Sequence, residues 1–190
     1  MKEIERKWVL RALPSGPRVA LVAKNHVEQL YISTADPEVR IRQHNQFEKF
    51  ENGVPVPVYG IEAQPDFALT IKRGSGLTRD EFEVKLNVDQ YRHLRQAAIA
   101  AIEQHYWGYT IKGTNYLLEV KFVNRPNSES DSVIIAEVEF PSEQEANAFD
   151  PTGIFDDVLV AEVTHIKGWK NANLATYEGK LTDMMEALPK

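Results

Sequence analysis

Two short runs pair carboxylates at a spacing that could hold a metal ion: Glu3-x-Glu5 and Glu137-x-Glu139. Side chains repeat on one strand face every two residues, so each pair stands roughly 7 Å apart by strand rise. Glu81-x-Glu83 adds a third pair. Carboxylate oxygens are the ligands that Mg²⁺ and Mn²⁺ prefer. Arg40-x-Arg42, Lys7 and Lys72 supply planar forks and point charges for phosphate oxygens. A metal bridging phosphate to carboxylate would reconcile these opposite charges. Phosphoryl transfer asks for this equipment: positioning, charge neutralisation and a water in line. Taken singly, any E-x-E run is more often a solvated strand face, and Arg40-x-Arg42 alone says little. His26, His44, His93, His105 and His165 have no metal-ligand spacing and read as structural or exposed. No Walker-type glycine loop is present; Gly74-Ser75-Gly76 reads as a hairpin turn.

The elements that would position these residues are mostly strands. Period-two alternation marks strands near 2–11, 27–33, 38–43, 67–73, 79–86, 105–112, 115–123 and 133–140. Helical patterns fall near 17–26, 89–104, 142–149 and 171–187. Asp89 is the expected N-cap of the second helix, and Ser142 with Glu145 forms the expected capping box of the third. Segment 47–66, with Gly53, Pro55, Pro57, Gly60 and Pro65, reads as a surface excursion.

The charges cluster on one strand face. Glu3, Glu5 and Lys7 share a face, as do Glu38, Arg40 and Arg42, while Arg79, Glu81, Glu83 and Lys85 lie opposite Phe82, Val84 and Leu86. Glu119 and Lys121 oppose Leu118, Val120 and Phe122; Glu137 and Glu139 oppose Ala136, Val138 and Phe140. One such strand reads as a sheet with one wet face. Six of them, with acidic and basic pairs on separate strands, point to a barrel whose apolar faces pack outward under helices and whose charged faces look into a wet lumen. Closure also removes sheet edges.

The composition sets limits. At 190 residues the chain fits a single domain, 1–190, with the excursion as a surface insertion. A net charge of −6 argues against binding nucleic acid or acidic membranes, so an anionic ligand needs a local basic site. The absence of cysteine excludes disulfides, Cys-based zinc sites and thiol catalysis. The charged opening and the lack of a long apolar run make cytoplasmic location the expectation, with no membrane partner.

In combination and order, the motifs resemble those of the CYTH superfamily, the triphosphate tunnel metalloenzymes. Glu3-Ile4-Glu5-Arg6-Lys7-Trp8 is similar to the family's ExExK opening. Val39-Arg40-Ile41-Arg42, Thr70-Ile71-Lys72, Arg79-Asp80-Glu81-Phe82-Glu83, Leu118-Glu119-Val120, Ala136-Glu137-Val138-Glu139-Phe140 and Glu162-Val163-Thr164 follow its later strands. The resemblance implies an α+β fold: a closed eight-stranded antiparallel β-barrel with helices packed outside. It implies Mg²⁺- or Mn²⁺-dependent hydrolysis of a triphosphate, foremost inorganic tripolyphosphate to diphosphate and phosphate. Metal ligands would be Glu3, Glu5, Glu119, Glu137 and Glu139. Lys7, Arg40, Arg42, Lys72 and Arg79 would contact the small-molecule substrate, Glu81 and Glu83 would help order the basic residues or a second metal and the attacking water, and Lys7 would tune that water. A monomer or homodimer fits.

Three departures stand out. Where small bacterial members carry Lys-x-Arg after the central helix, Glu103-Gln104-His105-Tyr106-Trp107 places Gln104 and Tyr106. Their Glu-x-Asp strand reads Glu119-x-Lys121, and His165-Ile166-Lys167 replaces an acid after Thr164. Each lost charge-assisted contact costs about 1.5–3 kcal/mol. Lys121, and Lys112 if it points inward, would restore charge as substrate contacts. Alternatives are a nucleoside- or thiamine-triphosphate phosphatase, a class IV-type adenylyl cyclase (ranked lower, since no His-Phe precedes the ExExK run), or a non-catalytic triphosphate-binding module. Metal ligation needs deprotonated acids, so an alkaline optimum is expected.

Overall fold

The structure is a computed structural model describing residues 2–51, 54–57, 64–126, 128 and 130–189. Ten strands follow in chain order: β1 (Lys2–Leu10), β2 (Val19–Ser33), β3 (Glu38–Glu51), β4 (Val54–Pro57), β5 (Asp66–Arg73), β6 (Thr78–Leu86), β7 (Ala100–Ile111), β8 (Leu117–Asn124), β9 (Val133–Glu139) and β10 (Leu159–Glu162). Helices are short: α1 (Val88–Arg95), α2 (Glu143–Ala148), α3 (Asn171–Thr176) and α4 (Leu181–Glu186), with one 3-10 turn at Lys167–Trp169.

Eight strands close on themselves in the order β1-β6-β5-β3-β2-β7-β8-β9, and β9 returns to β1. All pairings are antiparallel. β1 does most to close the barrel. Lys2–Ile4 pair with Thr78–Asp80 of β6, and Glu5–Leu10 pair with Ile134–Glu139 of β9. β4 extends the outer end of β3, and β10 adds to β1.

The apolar faces pack outward, as the alternation predicts. Trp8, Leu118, Val120, Ala136 and Val138 are buried against Ala146 and Phe155 on the barrel's outside, beneath α2 and the chain after it. A second cluster lies inside one end. Val9, Tyr31, Ile102, Val123 and Ile135 continue the inward faces and pack with Trp169, Ala172, Leu174 and Leu181 of the closing segment. The charged band is thus bounded at that end by a dry floor, whose burial adds on the order of 25 cal/mol per Å² of apolar surface.

Several elements differ from the sequence reading. Residues 17–26 are not a helix: from Val19 they are strand, paired with β3 and β7. The second helix stops at Arg95, and Ala100 begins β7 instead of extending it. Its cap is Asn87, not Asp89, in a reciprocal capping box with Gln90. Ser142 caps α2 as expected, but Glu145 reaches the Ser142 hydroxyl and accepts from Tyr116. The closing helix is two helices, and Arg125 donates to the carbonyls of Tyr177 and Gly179 in the stretch between them. Part of the excursion at 47–66 is strand, through Glu51 and over Val54–Pro57, while 52–53 and 58–63 lie outside the described residues. The Gly74-Ser75-Gly76 turn stands, with Gly74 at φ 95° and Gly76 at φ 91°, where a Cβ would be strained. Among the described residues no helix is long and apolar enough to cross a membrane.

Candidate active site

The inward faces of β1, β3, β5, β6, β8 and β9 bring every site residue of the sequence reading to one cavity of about 240 Å³. Eight carboxylates and six cations line it, so the fully ionised wall carries an excess of acid. Gln29, Gln104 and Asn171 complete it. The lumen separates into a basic band and an acidic basin.

The basic band runs along β3, β5 and β6. Lys72 Nζ lies 2.5 Å from Glu3 Oε1 and 3.0 Å from Glu81 Oε2. Burial first, then the Arg40 charge, lowers the Lys72 pKa. Arg79 Nη2 bridges Glu5 Oε1 at 2.6 Å and Glu3 Oε2 at 3.0 Å. Arg42 pairs with Glu83, which also accepts from Thr70 Oγ1 at 2.9 Å. Against burial, which would raise them, Lys72 holds Glu81 and Arg42 holds Glu83 below the usual carboxylate range. Both glutamates therefore sit on the cations and order them. Arg40 is loosely ion-paired: among the described residues its carboxylate partner is Glu38 at 3.8 Å, the Tyr31 hydroxyl lies beside it, and its buried Nε has no hydrogen-bond partner there. The buried Nε2 of Gln104 is also unpartnered. Two buried donors facing one cavity call for an acceptor-rich ligand, because an unmade buried hydrogen bond costs about 1–3 kcal/mol.

The acidic basin lies where β1 meets β9. Carboxylate oxygens of Glu3, Glu5 and Glu139 all lie within 4.8 Å of one another. Glu3 Oε2 lies 3.0 Å from Arg79 Nη2 but has no hydrogen bond of good geometry among the described residues. An all-oxygen donor set of this span fits a hard divalent cation. Glu137 and Glu119, expected in the same set, are ion-paired to lysines, as Glu3 and Glu5 are to Lys72 and Arg79. Lys7 Nζ lies 2.6 Å from Glu137 Oε1; Lys121 Nζ bonds Glu137 Oε2 and lies 2.8 Å from Glu119 Oε2. Against burial, Lys121 and Lys7 hold Glu137 well below the usual carboxylate range.

Glu139 behaves in the opposite way. Burial, then the charges of Glu3, Glu119 and Glu5, pushes its carboxyl up to about 7 despite Lys121. A group whose pKa is raised on folding stabilises the fold fully below its unfolded value of 4.5, and that contribution disappears as pH rises through 7. In EDTA, the native protein should therefore lose urea resistance relative to Glu139→Gln between pH 5 and 8. His26 and His44, whose pKa values burial lowers, act with the opposite sign but cancel in this difference. A pH-independent difference between the two proteins would contradict the assignment.

Of the three departures, the first places Gln104 facing the lumen and Tyr106 just beyond it, and the third, His165-Ile166-Lys167, lines a neighbouring space with Lys7 and Arg79. Tyr106 stacks on His44, ring centroids 5.9 Å apart, in an adjoining space of about 300 Å³ that Phe67 and Arg42 also line. Lys121 is lumenal, whereas Lys112 sits exposed in the turn after β7 and restores no charge. Gln29 and Asn171 were not singled out from the sequence; Gln29 shares the inward face of Tyr31, two residues on, and the alternation could have found it.

A closed antiparallel barrel with cations and carboxylates facing across its lumen defines a charged-tunnel protein. The comparisons place it more narrowly. The chain is 30% identical over 177 residues to the inorganic triphosphatase of Nitrosomonas europaea, covering 92% of this chain and 97% of that protein. The crystal structure of the hypothetical protein NE1496 superposes with a TM-score of 0.52 at 25% identity, covering 91% and 97% of the two chains. No family model matches. The chain belongs to the family of this triphosphatase, the triphosphate tunnel proteins.

Proposed function

We propose that the protein hydrolyses inorganic tripolyphosphate to diphosphate and phosphate within the lumen, with Mg²⁺ or Mn²⁺ held by Glu3, Glu5 and Glu139. The observation that carries this reading is the loosely paired Arg40, flanked by Lys72 and Arg79, facing three convergent carboxylates across one cavity. The 30% identical relative is an inorganic triphosphatase, which supports the same substrate.

Arg40, Arg42, Lys72 and Arg79 bind and orient the phosphate chain, exchanging part of their pairing with glutamates for charge-assisted bonds to phosphate oxygens. Glu81 and Glu83 keep Lys72 and Arg42 in place during that exchange. Lys7, between Glu137 and Glu5, places Nζ beside the basin and orients the attacking water. When bound, the divalent ion neutralises phosphate charge and polarises the water. Water oxygen bonds to the terminal phosphorus, the bridging P–O bond breaks with its electrons going to the diphosphate oxygen, diphosphate leaves, and the proton lost by the water passes to the product phosphates or to solvent.

A second reading has one observation in its favour. The space lined by His44, Tyr106 and Phe67 adjoins the lumen and could seat a ring, as in a nucleoside or thiamine triphosphate. Phosphate release from tripolyphosphate, ATP and thiamine triphosphate, with Mg²⁺ or Mn²⁺, separates the readings. Tripolyphosphate should be cleaved fastest, and EDTA should stop the reaction. Faster cleavage of a ring-bearing substrate would replace the first reading with the second. Thermal stabilisation without turnover would make the protein a binding module.

A further inference from the structure

Five carboxylates were expected to share the metal-binding role, yet they stand in two unlike settings. The oxygens of Glu3, Glu5 and Glu139 converge. Glu119 and Glu137 converge on Lys121 instead, whose side chain is 12% exposed. The geometry follows from register. Glu119 lies opposite Glu137 across the β8–β9 ladder, and Lys121, two residues on, faces the same way. Two carboxylates side by side on adjacent strands repel unless a cation sits between them. The Lys121 ammonium sits there, bonding both. Lys7 occupies the other oxygen of Glu137. Glu3 is likewise flanked, by Lys72 and Arg79, and Glu5 by Arg79. What sets the basin apart is Glu139, which makes no ion pair within 4 Å among the described residues and leaves that side open to a divalent ion, whereas both acids of the Glu119–Glu137 side are held by Lys121.

We propose that Lys121 is a fixed internal cation filling the Glu119–Glu137 side of the basin, so that the lumen takes up one divalent ion, at Glu3, Glu5 and Glu139. The proposal rests on the metal-dependent reading above. It makes the choice of lysine at 121 a determinant of metal stoichiometry, in place of a direct substrate contact. The ammonium does part of the work of an ion: it is permanently bound, needs no free metal and cannot be chelated. It cannot polarise a water as a divalent ion does, so Glu119 and Glu137 become a scaffold for charge, and hydrolysis depends on a single exchangeable ion.

The test is a Mn²⁺ titration of the metal-free protein without triphosphate, followed by calorimetry and by the electron paramagnetic resonance signal of free Mn²⁺. The native protein should bind one ion per chain. Glu139→Gln should weaken that uptake at least tenfold, while Glu119→Gln leaves the stoichiometry at one. Lys121→Met, which keeps the stem and removes the charge, should bind a second ion. Two ions bound by the native protein, or one ion bound equally by native and Lys121→Met, would overturn the proposal and leave the metal-dependent reading standing. No uptake by the native protein would overturn both. Should Lys121→Met fail to fold, the native stoichiometry and the contrast between Glu139→Gln and Glu119→Gln still decide the matter.

Discussion

Glu139→Gln is expected to lower kcat/KM for tripolyphosphate roughly a thousandfold, the equivalent of about 4 kcal/mol of charge stabilisation from a metal ion. The amide matches the carboxylate in shape and relieves the repulsion from Glu3, Glu119 and Glu5, so the barrel should remain folded. What is lost is one of three converging oxygens in the basin. Glu81→Gln makes a useful contrast. Glu81 touches Lys72 and acts through it, so its loss should cost about tenfold, and mainly in KM. Steady-state rates for both variants, at saturating Mg²⁺ and with circular dichroism as a check on folding, give the answer. A loss under tenfold for Glu139→Gln would remove the basin from the reaction.

The second large effect is on stability. Arg79→Met, measured by urea unfolding in EDTA at pH 8, should cost about 3–5 kcal/mol, the usual consequence of removing one partner from a buried charge cluster. Arg79 is 8% exposed and its Nη2 holds both Glu3 and Glu5. Methionine fills much of the space but leaves those two acids facing each other and Glu139 without their shared cation. Glu3→Gln in the Arg79→Met background removes one of the stranded charges and should recover a substantial part of the loss. A cost under 1 kcal/mol, or no recovery in the double variant, would mean that the acids turn to solvent and that the lumen is less constrained than its distances imply.

The barrel and its lumen were legible because alternation and charge agree in the strands that matter most. In β1, β8 and β9 one face is mainly apolar, with Arg6 set between Ile4 and Trp8 in β1, and the other carries the charges; those faces are the outside and the lumen. The errors have local causes. Along Val19–Lys24 nearly every residue is half-buried, so no two-residue rhythm marks the start of β2. Ala97-Ala98-Ile99-Ala100-Ala101 has helical propensity, but the Ile99 amide bonds the Tyr31 carbonyl at 2.8 Å and the chain continues as β7 beside β2; tertiary pairing overrides propensity there. Within the site, the residue types were readable and their partners were not. That Lys121 neutralises Glu119 and Glu137, while Glu139 is left among like charges, depends on strand register and reach, which spacing within one strand does not encode.

The seam between β1 and β9 has a consequence for how the molecule comes to exist. Glu5 pairs with Glu139 across more than 130 intervening positions, and the basin draws on both strands. Contacts so distant in the chain must wait for a large loop-closure entropy to be overcome, the property that slows folding in β-rich topologies. Until that seam forms there is no basin, so a ligand of the basin cannot template the early steps; it can only hold the ring shut afterwards. Its signature in a chevron plot would be a slower unfolding limb with the refolding limb unchanged.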